Sequence, residues 1–196
     1  MVKNEVEMAN LPKRLAELKK EAEACEDCPL SKTRKNVVFG EGNIRADIMF
    51  VGEGPGQVED ETGHAFVGRS GQLLDKMFKD VGINRKNVYI ANIVKCRVPN
   101  NADPSVEYRL TCIKYLREQV KIVKPKIIVC LGRIAATTII DPNFKITKEH
   151  GIWYNRKNFF MMATYHPSAL LRNPDLMKDA QNDFKILIDK YNEIKK

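Results

Sequence analysis

Ile48-Met-Phe-Val-Gly-Glu-Gly-Pro-Gly56 sets four apolar residues directly before a glycine-rich turn. An unbroken apolar run of this length suits a strand buried on both faces, the condition of a parallel sheet. Three similar runs follow: Val88-Tyr-Ile-Ala-Asn-Ile-Val94, Ile127-Ile-Val-Cys-Leu131 and Phe159-Phe-Met-Met-Ala163. Helical periodicity lies between or after them, over residues 71–81, 105–123, 133–140 and 176–194. Asp103-Pro104-Ser105 before Val106-Glu107 reads as a helix start, with a proline and a capping side chain near the first turn. Leu11, Leu15, Leu18 and Ala22 have the spacing of an amphipathic helix leading into Cys25. Alternating strands and helices predict a three-layer α/β/α fold with a central, mainly parallel four-stranded sheet. At 196 residues the chain is expected to form one domain, residues 1–196, with the segment at about 11–35 packing on a cysteine centre.

Composition narrows the function. Hydrophobic residues make up 43% and charged residues 30%, a mix that excludes a mainly disordered chain. The longest apolar stretches are far too short to span a bilayer, and no apolar signal core opens the sequence, so the expectation is the cytoplasm and no membrane partner. Lys plus Arg exceed Asp plus Glu by 33 to 25, a formal charge of +8. Such an excess favours polyanions, nucleic acid first.

Five cysteines in a reducing compartment need a reason other than disulfides. Cys25 and Cys28 form a C-x2-C pair, while Cys96 and Cys112 have 15 residues between them in polar, basic sequence. Cys130 lies inside an apolar run and reads as a core thiol. Four candidate ligands remain, and their spacing suits either structural zinc or an iron–sulfur cluster.

Ligands of parallel sheets bind beyond the carboxyl ends of the strands, and the unusual sequence collects there. Gly52-Glu-Gly-Pro-Gly56 is a tight loop that brings backbone and Glu53 to a ligand. It has neither the G-x-G-x-x-G spacing of a dinucleotide site nor the Gly-Lys-Ser/Thr of a P-loop. Glu59, Asp60 and Glu61 read as a solvated loop or as carboxylates with chemistry to perform. Phe66 either plugs its loop onto the core or stacks on a flat ligand. Asn92 interrupts an apolar strand, and a buried carboxamide without partners costs about 1–3 kcal/mol. Its acceptor and donor match the N3–H and O4 edge of uracil, whereas cytosine presents the opposite pattern. His166, before Pro167, could donate from a neutral imidazole to charge developing on a ligand oxygen.

Together these motifs resemble family 4 uracil-DNA glycosylases. The resemblance rests on Gly52-Glu-Gly-Pro-Gly56, Glu59-Asp60, Phe66-Val-Gly-Arg-Ser-Gly-Gln-Leu-Leu74, Asn92-Ile-Val-Lys-Cys-Arg97 and His166-Pro-Ser-Ala-Leu-Leu-Arg-Asn-Pro174, in that order. It implies an enzyme that hydrolyses the N-glycosidic bond of uracil in double- or single-stranded DNA and so starts base excision repair. The resemblance implies catalytic roles for Glu53 and His166, and a uracil pocket of Gly54, Glu59, Phe66, Asn92 and His166. Phe66 would stack on the flipped base, Asn92 would read it, and His166 would bond O2. Glu59 would stand near C5 and exclude a methyl group. Cys25, Cys28, Cys96 and Cys112 would hold a [4Fe–4S] cluster. Nothing in the sequence demands a dimer, and the chain is expected to be a cytoplasmic, nucleoid-associated monomer.

Two departures from the family pattern stand out. Gly54 occupies a position where Ala is common, and His64-Ala65-Phe66 replaces Arg-Pro-Phe. Glu53 itself favours family 4 over the related family 5, whose motif usually has Leu there.

Overall fold

The computed structural model describes residues 2–156 and 158–195. In chain order its elements are α1 (Val2–Glu23), β1 (Glu41–Gly42), β2 (Ile48–Gly52), α2 (Gln57–Thr62), α3 (Arg69–Asp80), β3 (Tyr89–Asn92), α4 (Val106–Val123), β4 (Ile127–Leu131), α5 (Arg133–Ile139), α6 (Ile146–Glu149), β5 (Tyr154–Arg156), β6 (Phe159–Thr164), α7 (Pro167–Arg172) and α8 (Met177–Lys195). The sheet runs β1-β3-β2-β4-β6-β5. The four inner strands are mutually parallel, and β1 and β5 are antiparallel edges.

The sheet therefore has six strands where the sequence predicts four. All four expected strands form its parallel centre, and the two additional ones are short and polar. Glu41–Gly42 and Tyr154–Arg156 carry no apolar run, and their extended form comes from pairing with β3 and β6. They close the sheet edges that would otherwise present unpaired backbone.

Successive side chains of each inner strand enter opposite layers. Ile48, Phe50, Ile90, Val129 and Met162 pack beneath α3 and α8, around Leu74, Phe78, Phe184 and Leu187. Met49, Val51, Ala91, Ile128 and Met161 face α4 and α5, around Ile113, Leu116, Ala135 and Ala136. Continuous apolar runs are thus required on both faces, as the sequence implies. Cys130 is fully buried in the second layer. Phe50 anchors the first, with ring centroids 4.7 Å from Phe78 and 6.0 Å from Phe184. Full burial of such a ring stabilises by about 1.5–3 kcal/mol.

Leu11, Leu18 and Ala22 of α1 form a smaller core with Phe39, Tyr115 and Ile122, the face that their periodicity predicts. Ser105 caps α4 by accepting the Tyr108 N–H at 3.1 Å.

The acidic run Glu59-Asp60-Glu61 is helical, not a loop, and of the three only Glu61 is exposed. Glu59 and Asp60 are buried on α2, which ends at Gly63 with φ of 78°. Asp60 accepts the backbone N–H groups of Lys35 at 2.9 Å and Asn36 at 3.4 Å. Partners 24 and 25 residues away in sequence make its burial affordable.

Chain order places the connections of β2 and β4 on opposite sides of their shared border, so a crevice opens at the carboxyl ends of these strands. Register puts Gly52 beside Asn92, and Leu131 beside Thr164, at that same end.

Candidate active site

The crevice is a cleft of about 280 Å³. Glu53, Gly54, Glu59, Phe66, Asn92 and His166 all line it, so residues from five separate stretches of sequence meet in one place. Asp60 does not, because its carboxylate is engaged with Lys35 and Asn36.

Phe66 has φ of 53°, the left-handed region that a non-glycine residue rarely adopts. Its surroundings hold it there. Glu59 Oε1 accepts the next two backbone N–H groups, Val67 at 3.0 Å and Gly68 at 2.8 Å. Gly71 lies so close beneath that a Cβ would stand 1.8 Å from the Phe66 carbonyl oxygen. Gly52 carries the ring's edge: a Cβ there would meet Phe66 Cζ at 2.6 Å and Asn92 Oδ1 at 2.5 Å. Gly52 and Gly71 are therefore requirements of the platform, which sequence reading does not single out. Gly54 also faces a tight wall, since a Cβ would approach Val94 Cγ2 to 2.7 Å.

Asn92 closes β3 and is 1% exposed, yet its Oδ1 has no hydrogen-bond partner among the described residues. An unpaired buried amide oxygen costs about 1–3 kcal/mol, a demand that a complementary ligand edge can meet. The segment is rigidly placed. Ile93 and Val94 donate their N–H groups to the carbonyls of Gly52 and Glu53, at 2.9 and 3.0 Å.

His166 caps α7. Its Nδ1 accepts the Ser168 N–H at 3.1 Å and lies 2.8 Å from Ser168 Oγ. With Nδ1 accepting, the ring proton belongs on Nε2, which is left to donate elsewhere. Burial, with the nearby Arg172 guanidinium, lowers the imidazole pKa to about 4, so the ring is neutral near pH 7. It packs against Phe66 with centroids 5.7 Å apart.

Glu53 is half-buried, and desolvation raises its pKa to about 7, with Asp103 adding to the rise. Arg133, Arg109 and Arg172 oppose it. Arg133 is ion-paired with Asp103. A carboxylate titrating near neutrality can hold or accept a proton in its working range. Asp103, Arg109 and Arg133 are absent from the sequence-level candidates because nothing in their local sequence reports their approach to Glu53.

The four cysteines expected as ligands gather from three segments: Cys25 and Cys28 beyond α1, Cys96 after β3, and Cys112 on α4. They are near enough for mutual electrostatic influence, Cys96 with Cys112 and Cys28, and Cys112 with Cys28 and Cys25. Burial pushes the Cys96 thiol up to about 11, so a thiolate there needs a cation. Arg34 donates to Cys96 Sγ at 3.5 Å and to the Cys25 carbonyl at 2.8 Å, joining the C-x2-C loop to the core. Lys95 N–H donates to Cys112 Sγ at 3.3 Å. Among the described residues, no three Cys, His, Asp or Glu side chains converge tightly enough to hold a single ion.

Residues 39–189 match the model of the uracil DNA glycosylase superfamily. The chain is 46% identical over 180 residues to a type-4 uracil-DNA glycosylase of Sulfurisphaera tokodaii, covering 87% of this chain and 82% of that protein. A type-4 uracil-DNA glycosylase of Thermotoga maritima is 47% identical over 153 residues, covering 76% and 79%. That of Archaeoglobus fulgidus is 42% identical over 179 residues, covering 87% and 90%.

Proposed function

This chain belongs to the uracil-DNA glycosylase superfamily, and we propose that the cleft beyond β2, β3 and β6 is where it excises uracil from DNA. Its activity is that of a DNA glycosylase, like the type-4 uracil-DNA glycosylases to which it is similar. The observation that carries the site assignment is the convergence of six motif residues on one cleft, with a buried and unpaired Asn92 oxygen among them.

The reaction requires a base to leave the stack, at a cost of a few kcal/mol. Phe66 offers a ring on which that base stacks, and Asn92 pairs with its N3–H and O4 edge. Bond cleavage leaves positive charge on the sugar and negative charge on the departing base. His166, neutral with its proton on Nε2, donates to O2 without first losing charge of its own. Glu53, as the carboxylate, orients water and stabilises the cationic sugar. Such fixed dipoles and charges cost no reorganisation during the reaction. Glu59 is held by two backbone N–H groups, which makes it a stiff wall near C5 against the methyl group of thymine.

Cys25, Cys28, Cys96 and Cys112 would hold a [4Fe–4S] cluster. The donor set fits: four thiols lie in mutual electrostatic reach, with N–H groups of Arg34 and Lys95 directed at two sulfurs. When bound, the cluster supplies a structural clip between the α1 segment and the core. The protein would act as a single-domain monomer on double- or single-stranded uracil-containing DNA, associated with the nucleoid in the cytoplasm. No helix among the described residues is long and apolar enough to cross a membrane. Iron and sulfide analysis of anaerobically purified protein tests the ligand assignment. About four of each per chain is the expected result, and stoichiometric zinc without sulfide would overturn it.

A further inference from the structure

Lys95 is 1% exposed, and lysine is among the residues least often fully buried. No carboxylate pairs with it among the described residues, so an ordinary buried ion pair does not explain its place. Its ammonium donates instead to the backbone carbonyl of Asn92 at 2.9 Å and to Gln119 Oε1 on α4 at 2.7 Å. Gln119 is itself fixed, its Nε2 donating to the Phe39 carbonyl at 2.8 Å and to Tyr89 Oη at 3.1 Å. The Phe39 ring also faces the ammonium at 5.8 Å. The main chain of Lys95 is tied at both ends. Its N–H donates to Cys112 Sγ at 3.3 Å, and its carbonyl accepts the Val38 N–H at 2.8 Å.

One residue thus touches a cysteine of the proposed cluster through its backbone and the base-reading asparagine through its side chain. We propose that Lys95 is a positioning residue for base recognition, which holds Asn92 at a fixed height in the cleft relative to α4 and the cysteine centre. This inference rests on the uracil-reading role given above to Asn92. A carbonyl held by a buried ammonium cannot tilt without breaking a charged hydrogen bond, of the kind that contributes more than a neutral one. The side chain of the same residue inherits that restraint. Lys95 does not line the cleft and acts only through Asn92.

The test is a double-mutant cycle read by binding. The probe is a duplex with one 2′-fluorinated deoxyuridine opposite guanine, which resists glycosidic cleavage, beside the same duplex with thymidine. Lys95→Met is expected to lower the preference for the uracil duplex about tenfold. Affinity for the thymidine duplex and the visible absorbance of the iron–sulfur chromophore should stay as in the wild type. In an Asn92→Ala background the same change should alter the preference by less than about twofold, because the residue through which Lys95 acts is gone. Equal losses in both backgrounds, or an unchanged preference in Lys95→Met alone, would overturn the inference. If Asn92→Ala by itself keeps the full preference, the base-reading role of Asn92 fails and the inference fails with it. Should Lys95→Met lose its chromophore, Gln119→Met replaces it in the cycle with the same expectation, since it frees the ammonium from α4 and leaves both N–H bonds to sulfur in place.

Discussion

Glu53 gives the cleft a pH dependence whose midpoint can be moved from a distance. Its carboxyl titrates at about 7, raised first by desolvation and then by Asp103. Reaction through the carboxylate therefore weakens as pH falls through neutrality. About ten in eleven Glu53 side chains are ionised one unit above the midpoint and about one in eleven one unit below, so the rate should fall about tenfold from pH 8 to pH 6. His166 titrates at about 4 and stays neutral throughout that window, so it contributes no limb there. Asp103→Asn removes a charge that raises the Glu53 pKa and also releases Arg133, which lowers it. Both effects have the same sign. The midpoint should move to lower pH, and the variant should retain more of its plateau rate at pH 6 than the wild type does. Glu53→Gln should flatten the profile and lower the plateau by about 10²–10³. The assay is the second-order rate constant for excision from a labelled duplex with one U·G pair, measured under subsaturating enzyme across pH 5.5–8.5, since that constant reports groups of the free enzyme. A wild-type profile flat over this range, or an acid limb that survives in Glu53→Gln, would refute the reasoning.

Three further outcomes follow from the site. Asn92→Asp replaces a donor with an acceptor-only group and should weaken uracil recognition by at least about tenfold, checked by single-turnover kinetics over a range of enzyme concentrations. His166→Ala removes the Nε2 donor and should lower the single-turnover rate by about 10²–10³. A rate within a few-fold of the wild type would make His166 a helix cap alone. Cys112→Ser should reduce iron content and solubility, read by elemental analysis and by the soluble fraction after lysis. A full iron complement with normal stability would remove Cys112 from the ligand set.

The centre of the fold is legible because its physical cause is local. Phe50 and Met49 are neighbours that must both be buried in opposite layers, so the run carrying them cannot alternate with polar residues. The edges are not legible, since Glu41–Gly42 and Tyr154–Arg156 are strands only by virtue of what they pair with. The same distinction separates Glu59 and Asp60 from their reading as solvated loop. Both look exposed until distant backbone N–H groups are brought to them. In the cleft, residue types and chain order are enough to bring forward Glu53, Phe66, Asn92 and His166, which the fold gathers there. Which carboxylate titrates near neutrality is not in that spacing. It depends on Asp103 and three arginines whose proximity only the fold creates. The roles of Gly52 and Gly71 are likewise invisible in one dimension, where a glycine beneath an aromatic ring looks like any other turn residue.

The most direct test of uracil excision at this cleft is a single-turnover comparison of three labelled duplexes, identical except for one U·G, T·G or C·G pair. Abasic sites should form in the U·G duplex alone, since the proposed role of Asn92 rejects cytosine by its hydrogen-bond pattern and that of Glu59 rejects the methyl group of thymine. Comparable cleavage of the T·G duplex, or no cleavage of the U·G duplex by protein with its iron–sulfur chromophore intact, would contradict it.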